Sequence, residues 1–292
     1  MNGTPAHDHT CPLPDGRLLG WAEYGAPGGS PVFYFHGLPS SRLEAAVTEP
    51  HAGQLGLRII AVDRPGFGLS TFQPGRRMTD WPGDIAALAD ALGLSRFAVM
   101  GTSGGGPYTL ACAAKLADRV TRASVLCGLG QVAGPPTGSG FRGFSRFALG
   151  AARRAPSLLP MLCVPVSWGL HTWVVDAYLK RFAHRQGALD RTTLLDPAVR
   201  GSLVAAFKES ARAGHRGPCW DLRLASAPWG FDPATIRIPV TLFHGEEDAV
   251  VPAGMTRSLA AAIPGVQARF FPGEGHYALP VRHAREALEF LL

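Results

Sequence analysis

The stretch RFAVMGTSGG, residues 96–105, carries the most information about the fold. Its first half is a compact apolar run typical of a buried strand. Its second half is a GxSxG pattern centred on Ser103, and helical spacing follows over residues 108–116. A strand that turns sharply into a helix can hold a serine hydroxyl clear of the backbone as a nucleophile. Alone, GxSxG also occurs by chance in plain turns, so this context decides the interpretation.

The residues around Ser103 suit such a turn. It demands a strained backbone at the serine, and the small residues Gly101 and Gly105 leave room for it. The helix that follows directs free N–H groups and its positive dipole end towards the serine. The sequence therefore predicts that the N–H of Gly104 stabilises a developing oxyanion.

A serine hydroxyl needs a base to take its proton, and the base needs an orienting acid. Downstream of Ser103, Asp248 follows the predicted strand 239–243, and His276 follows the predicted strand 268–271. Loops at the carboxyl ends of parallel strands gather at one edge of the sheet. The order Ser, Asp, His favours a catalytic triad.

Each assignment leaves an alternative open. Asp248 is also placed to begin a turn, Glu246 or Glu247 are alternative acids, and His276 is one of ten histidines.

The second oxyanion donor is expected in the loop after the predicted strand 31–35. That loop reads His36-Gly37-Leu38-Pro39, and the N–H of Leu38 is the candidate donor, since Pro39 has none. The alternative is an ordinary strand-ending turn.

Short strands alternate with helices along most of the chain, as in a mostly parallel sheet covered by helices on both faces. A hairpin is predicted around Asp15-Gly16, and a helix over 42–55. After the sixth strand the pattern breaks, and helical stretches are predicted near 142–153, 168–184 and 198–212. We therefore expect an α/β core over 1–129 and 232–292, with a helical lid (cap) over 130–231.

Composition indicates a globular protein, with 46% hydrophobic and 17% charged residues. Since no apolar run approaches the roughly 20 residues of a spanning helix, no membrane span is predicted. The polar N-terminus lacks a secretory pattern, so a cytoplasmic location is expected. Five cysteines without a CxxC pair argue against a disulfide framework or a metal site, and free thiols are expected.

Positive charge is concentrated in one segment. Residues 130–231 contain 13 Lys or Arg and 5 Asp or Glu, a net charge of +8 within a total of +6. No nucleic-acid-binding motif accompanies it, so no nucleic-acid partner is predicted. Two interpretations stay open: a solvated helical face, or attraction of an anionic or carrier-bound substrate or an acidic partner.

Taken together, these motifs resemble the α/β-hydrolase superfamily over nearly the whole chain. The matching pieces are His36–Pro39, Asp63–Ser70, Gly101–Gly105, His244–Asp248 and Gly275–His276. The chain is similar to the lidded branch that includes esterases, haloalkane dehalogenases, epoxide hydrolases and proline iminopeptidases. The resemblance implies the roles given above for Ser103, Asp248, His276, Leu38 and Gly104, and requires no metal or organic cofactor.

Two departures narrow the expected activity. Dehalogenases and epoxide hydrolases of this branch have Asp where this chain has Ser103. The predicted lid is short of acids, which fits the amine substrates of iminopeptidases poorly. We therefore expect a carboxylesterase-like serine hydrolase, acting on an ester or thioester of a small or medium-sized molecule through an acyl-enzyme.

Other functions remain in view. Superfamily members also include lyases, isomerases, cofactor-free oxygenases and ligand receptors, and fold alone does not separate them; amide hydrolysis is less favoured. A GxGxxxG pattern over residues 128–134 raises dinucleotide binding, but the alternative is a flexible entry to the lid. The oligomeric state is open.

The aromatic residues of the predicted lid have two interpretations. They would line an apolar acyl pocket, or form the lid's own small core, which is the commoner arrangement. The residues are Trp168, Trp173, Trp220, Trp229, Phe141, Phe144 and Phe147.

Overall fold

The computed structural model describes residues 8–132, 141 and 143–292, except for the side chains of residues 143 and 144. Eight strands in this part of the chain form one sheet. They are β1 (Asp8–Pro12), β2 (Leu18–Gly25), β3 (Ser30–Phe35), β4 (Leu57–Val62), β5 (Phe97–Thr102), β6 (Val120–Leu126), β7 (Val240–Gly245) and β8 (Gln267–Phe271).

The strand order is β1-β2-β4-β3-β5-β6-β7-β8. β1 pairs with β2 as an antiparallel hairpin, and β2 runs antiparallel to β4. From β4 to β8 every pairing is parallel, for example Phe35 with Gly101 and Leu126 with Phe243. The predicted fold class, a mostly parallel sheet with helices on both faces, is confirmed.

Alternation along β3 shows how the sheet divides the core. Val32 and Tyr34 pack into the cluster on one face, whereas Phe33 and Phe35 pack into the cluster on the other. Because successive side chains of a strand point to opposite faces, an unbroken apolar run suits a strand buried on both.

Helices cover both faces. They are α1 (Glu49–Ala52), α2 (Trp81–Ala91), α3 (Gly106–Lys115), α4 (Gly143–Arg154), α5 (Leu159–Leu170), α6 (Val174–Ala183), α7 (Ala188–Leu195), α8 (Pro197–Ser210), α9 (Arg216–Ala225), α10 (Ala253–Ala262) and α11 (Ala278–Glu289). Residues of α2, α3 and α10 join one core cluster, and residues of α1 and α11 join the other.

The six helices α4–α9 lie between β6 and β7; we call them the helical insertion. The helix predicted over 168–184 is wrong in its extent: α5 ends at Leu170 and α6 begins at Val174. The N–H groups of His171 and Thr172 bond three residues back, to Trp168 and Gly169, which closes α5. Most of α5 and all of α7 and α9 were not predicted. Within the predicted helix 42–55, a 3₁₀ helix (Arg42–Thr48) is followed by the short α1, which ends at Ala52.

Among the described residues, no single helix is long and apolar enough to cross a bilayer; only Pro156–Leu170 and Val174–Ala183 together reach that length, and they meet at a bend of 97°. All five cysteines are free thiols. After β6, Gly130 packs against Met255 and no described helix starts before Gly143, whereas Gly134 of the GxGxxxG pattern lies outside the described residues. The helix start that dinucleotide binding requires is therefore not found among residues 127–132.

Candidate active site

Ser103 lies at the carboxyl end of β5, where the chain turns into α3 through a 3₁₀ turn, Ser103–Gly105. Its φ is 54°, in the left-handed region that L-residues with a Cβ rarely adopt. The turn is tight because a Cβ on Gly101 would collide with Thr109, and one on Gly105 would collide with the carbonyl of Phe35. The small residues predicted at these positions are thus required by packing.

Ser103, His276 and Asp248 form one hydrogen-bonded chain. The Ser103 hydroxyl donates to His276 Nε2 at 3.0 Å, and His276 Nδ1 donates to Asp248 Oδ2 at 2.7 Å. Asp248 follows β7, and His276 follows β8. The structure therefore brings together residues that are far apart in the chain: Ser103 lies 173 positions from His276, and Asp248 lies 28 positions from it.

Asp248 is held by the loop in which it lies. Its Oδ1 accepts from the N–H groups of Val250 and Val251 at 2.8 and 2.7 Å, so it also begins a turn. Burial alone would raise the pKa of Asp248, but the charge of His276 and hydrogen bonds from His244 and His276 hold that pKa well below its usual range. The other candidate acids, Glu246 and Glu247, are exposed, and Glu246 pairs with Arg257.

His276 is buried, which by itself would lower its pKa. The neighbouring charge and hydrogen bond of Asp248 outweigh burial and raise the pKa of His276 above its ordinary value. A base with a raised pKa takes a proton from serine more readily. The same carboxylate fixes the tautomer, with the proton on Nδ1 and Nε2 free to accept.

The loop after β3 runs directly beside the serine. A Cβ built on Gly37 would lie 3.4 Å from Ser103 Cβ, and one on Gly104 would lie 3.1 Å from the nitrogen of Leu38. The two predicted oxyanion donors, Leu38 and Gly104, are therefore neighbours at the serine.

The N–H of Gly37 is used elsewhere. It donates to both carboxylate oxygens of Glu44, at 3.0 and 3.1 Å. Tyr34 donates its hydroxyl proton to Glu44 at 2.9 Å and lies 2.8 Å from the hydroxyl of Thr102, which therefore donates to it. Burial raises the pKa of Glu44. These hydrogen bonds hold the loop and occupy the N–H of Gly37, so Leu38 stays the predicted oxyanion donor of this loop.

Together, these groups can perform acyl transfer. A polarised serine hydroxyl, a base with an acceptor nitrogen and two neighbouring backbone N–H groups are what attack on a carbonyl carbon needs.

Comparison with known proteins identifies the family of the chain. The model of the Alpha/beta hydrolase family matches residues 25–289. The chain belongs to the alpha/beta hydrolase family.

Individual relatives of this family member are distant. It is 28% identical over 264 residues to the dihydrolipoyllysine-residue acetyltransferase component of an acetoin cleaving system from Pseudomonas putida, covering 89% of this chain but only 62% of that protein. It is 27% identical over 235 residues to a 2-hydroxymuconate semialdehyde hydrolase from the same organism, covering 78% and 73% of the two chains. A thermophilic esterase from Thermogutta terrifontis superposes with a TM-score of 0.70 at 23% identity, covering 98% of each chain, and this shows the shared fold alone.

In this alpha/beta hydrolase, the helical insertion supports the site through acids that the sequence did not single out. Asp190 of α7 accepts from the N–H groups of Tyr277 and Ala278 at 3.1 and 2.8 Å. These two N–H groups directly follow His276 and lie at the start of α11, where the positive end of the helix dipole stabilises an anionic side chain. Burial raises the pKa of Asp190.

Asp221 of α9 supports the loop after β3, on the other side of the candidate site. Its carboxylate pairs with the buried side chains of Arg64, at 2.7 Å, and of Arg76, and it accepts from Tyr108 at 2.7 Å. Arg64 in turn donates to the carbonyls of His36 and Gly37. The insertion thus holds the loop that carries Leu38 through one buried guanidinium.

A third acid, Glu209 of α8, pairs with Arg42 at 2.7 Å. Arg42 also pairs with the buried Asp63 of the turn after β4, at 2.8 Å. Three of the five acids in the predicted lid therefore face the core. The sequence around these three acids does not indicate that they point inward, because their partners lie in loops that are distant along the chain.

The aromatic residues of the predicted lid lie in different environments. Trp168, Trp173 and Phe147 are exposed, so they are not part of a core within the predicted lid. Trp229 lies in the main core cluster, and Phe141 packs in a small cluster that includes Val251 and Met255. Trp220 donates to the carbonyl of Arg76 at 2.9 Å; the side chain of Phe144 lies outside the described residues.

One group among the described residues has metal-ligating atoms within 4.8 Å of one another: Cys127, Asp248 and His276. His276 and Asp248 are bonded to each other, and burial raises the pKa of the Cys127 thiol well above its ordinary value. A protonated thiol is a poor metal ligand, so we assign no metal here.

Proposed function

We propose that this alpha/beta hydrolase is a serine hydrolase that cleaves an ester or thioester of a small or medium-sized organic molecule. The observation that carries the proposal is the continuous chain Ser103–His276–Asp248 beside the loop 36–38. Solved structures whose names include esterase share its fold.

The reaction begins when His276 Nε2 takes the proton of Ser103 and the serine oxygen bonds to the substrate carbonyl carbon. The N–H groups of Leu38 and Gly104 stabilise the oxyanion, and Asp248 stabilises the positive charge of His276. His276 then gives its proton to the leaving alcohol or thiol. Water, deprotonated by the same histidine, attacks the acyl-enzyme. The bond between the acyl carbon and the Ser103 oxygen then breaks, His276 returns the proton to that oxygen, and the acid is released.

We propose the helical insertion within residues 130–231 as the lid of the site. Its position between β6 and β7 and the contacts of Asp190 and Asp221 with the catalytic loops support this role. Lyase, isomerase, oxygenase and ligand-receptor functions are the alternatives, since the family fold carries them as well.

The test is labelling with a fluorophosphonate, followed by mass spectrometry of the modified peptide. We expect the label on Ser103, its loss in Ser103→Ala, and its strong reduction in His276→Ala. Hydrolysis of p-nitrophenyl butyrate should fall by about 10⁴-fold or more in Ser103→Ala. The matched control is Ser258→Ala, an exposed serine of α10 whose hydroxyl donates to the carbonyl of Gly254, and it should keep both label and rate.

Failure to label, or unchanged turnover in Ser103→Ala, would refute the serine mechanism. A labelled serine without turnover of any ester or thioester would direct the search to lyase chemistry or ligand binding.

A further inference from the structure

The outer side of α5 is apolar and open to solvent. This helix, LPMLCVPVSWGL, contains no charged residue. Leu159, Cys163 and Ser167 point inward at intervals of four residues. On the opposite side Met161 and Trp168 are 76% and 78% exposed. A helix that is apolar on its exposed side has a face that water does not favour.

The exposed apolar surface continues through the bend into α6. Trp173 is 78% exposed and Tyr178 is 53% exposed. Eight of the twelve exposed large hydrophobic residues in the described part of the chain lie within residues 158–178, and we call these eight the apolar face. They are Leu158, Met161, Val164, Val166, Trp168, Trp173, Val174 and Tyr178. Scattered exposed apolar residues are ordinary, but a concentration of this kind marks a binding surface.

Positive charge borders the apolar face on both sides in the chain. Arg146, Arg153 and Arg154 of α4 precede it, and Arg181 and Arg185 follow it, all of them exposed. Within residues 8–132, 141 and 143–292, none of these five arginines forms an ion pair. The outer surface of α4 also holds an open groove of about 460 Å³, lined by Arg146, Phe147, Gly150, Ala151 and Arg154.

We propose that the apolar face docks on an anionic lipid surface. Indole and phenol rings favour the boundary between headgroups and acyl chains, and the flanking guanidinium groups pair with phosphates there. The bend of 97° between α5 and α6 keeps these helices from forming one straight span. A chain that docks in this way lies on the lipid surface.

Charge argues for lipid over a second copy of this chain. A two-fold interface places the same surface of each copy against the other. It would bring the five arginines that border the apolar face of one copy towards those of its partner, and like charges repel at close range. An anionic lipid surface supplies the opposite charge instead.

Vesicle co-sedimentation tests the proposal. The full-length protein is mixed with phosphatidylcholine vesicles, or with vesicles of phosphatidylcholine and phosphatidylglycerol at about 70:30. We expect binding to the anionic vesicles at low salt, at least about tenfold weaker binding to neutral ones, and a blue shift of tryptophan emission on binding. Added salt should weaken the binding because it screens the charges.

Two variants separate the apolar and charged contributions. Trp168→Ser with Trp173→Ser, and Arg153→Glu with Arg154→Glu, should each weaken binding to anionic vesicles at least about tenfold. The matched controls are Leu18→Ser, at an exposed leucine of β2, and Arg96→Glu, at an exposed arginine just before β5. Both should bind like the unchanged protein. All four substituted side-chain positions of the test variants are exposed, so melting curves should match.

The proposal is overturned if anionic vesicles are not bound, or if the test variants bind as well as the controls. It is also overturned if sedimentation velocity shows a dimer that Trp168→Ser with Trp173→Ser dissociates while vesicles remain unbound. None of these readouts uses turnover, so they stand apart from the test of Ser103.

Discussion

Replacing Asp221 by alanine tests how far the helical insertion stabilises the core. In the folded protein the side chains of Arg64, Arg76 and Asp221 are 0%, 2% and 2% exposed. Removing the carboxylate leaves two buried guanidinium groups without their countercharge. Losing one partner of a buried pair costs roughly 3–5 kcal/mol of unfolding free energy. At about 2–4 °C per kcal/mol for a chain of this size, we expect Tm to fall by about 6–20 °C.

The assay is thermal unfolding followed by circular dichroism at pH 7. Asp176→Ala is the matched control, since this acid also lies in the insertion and forms ion pairs, with Lys180 and Arg200, but at the surface. Exposed pairs contribute little, so its Tm should barely change. If Asp221→Ala unfolds no more easily than Asp176→Ala, the buried cluster does not stabilise the fold and the reasoning is wrong.

The pH dependence of the same variant gives a second check. Although burial opposes it, the charges of Arg64 and Arg76 lower the pKa of Asp221 in the folded protein. A lowered folded pKa gives stability above the unfolded pKa that is lost as pH falls through the folded pKa. The Tm difference between the unchanged protein and Asp221→Ala should therefore narrow below about pH 4. A difference that widens on acidification would contradict the assigned charges.

Two further predictions concern the active site. Only neutral His276 accepts the serine proton, and the pKa of His276 is raised, so the acid limb of the pH profile of kcat/KM for ester hydrolysis should lie above about pH 6.5. Asp190→Asn removes a charge that raises this pKa and should therefore move the acid limb to lower pH. An acid limb that stays in place would contradict the contribution of Asp190. In Gly104→Ala the new methyl would lie 2.8 Å from Leu38 Cβ, so the loop must shift and kcat should fall about 10²–10³-fold. Gly83→Ala, where nothing lies within 4 Å, is its control; equal rates would show that Leu38 and Gly104 do not act together.

The sequence predicted the elements whose signal is local. An apolar run followed by GxSxG defines both β5 and the position of Ser103, and Asp248 and His276 each follow a recognisable strand. The residues that hold this site in place have partners far away in the chain. Asp221 meets Arg64 across 157 residues, and Asp190 meets Ala278 across 88. No local pattern encodes such pairs.

The predicted helix boundaries in the insertion are wrong for a related reason. α5 contains Pro165 in its interior and Pro160 near its start, and α9 contains Gly217 and Pro218. These residues disfavour helices in isolation. Packing stabilises them here: Leu159 and Cys163 of α5 form a small cluster with Cys219 of α9. Tertiary contact therefore outweighs the local preference.

The three inward acids of the insertion, Asp190, Glu209 and Asp221, also limit how this chain can be recombined. A chimera that received the corresponding helices of another family member would leave Arg64, Arg76 and Arg42 facing a surface not built for them. The transplanted segment would need carboxylates at matching positions, or the core would need new residues in exchange. Engineering of this protein is thus better directed at the outward side chains of the insertion than at its replacement as a cassette.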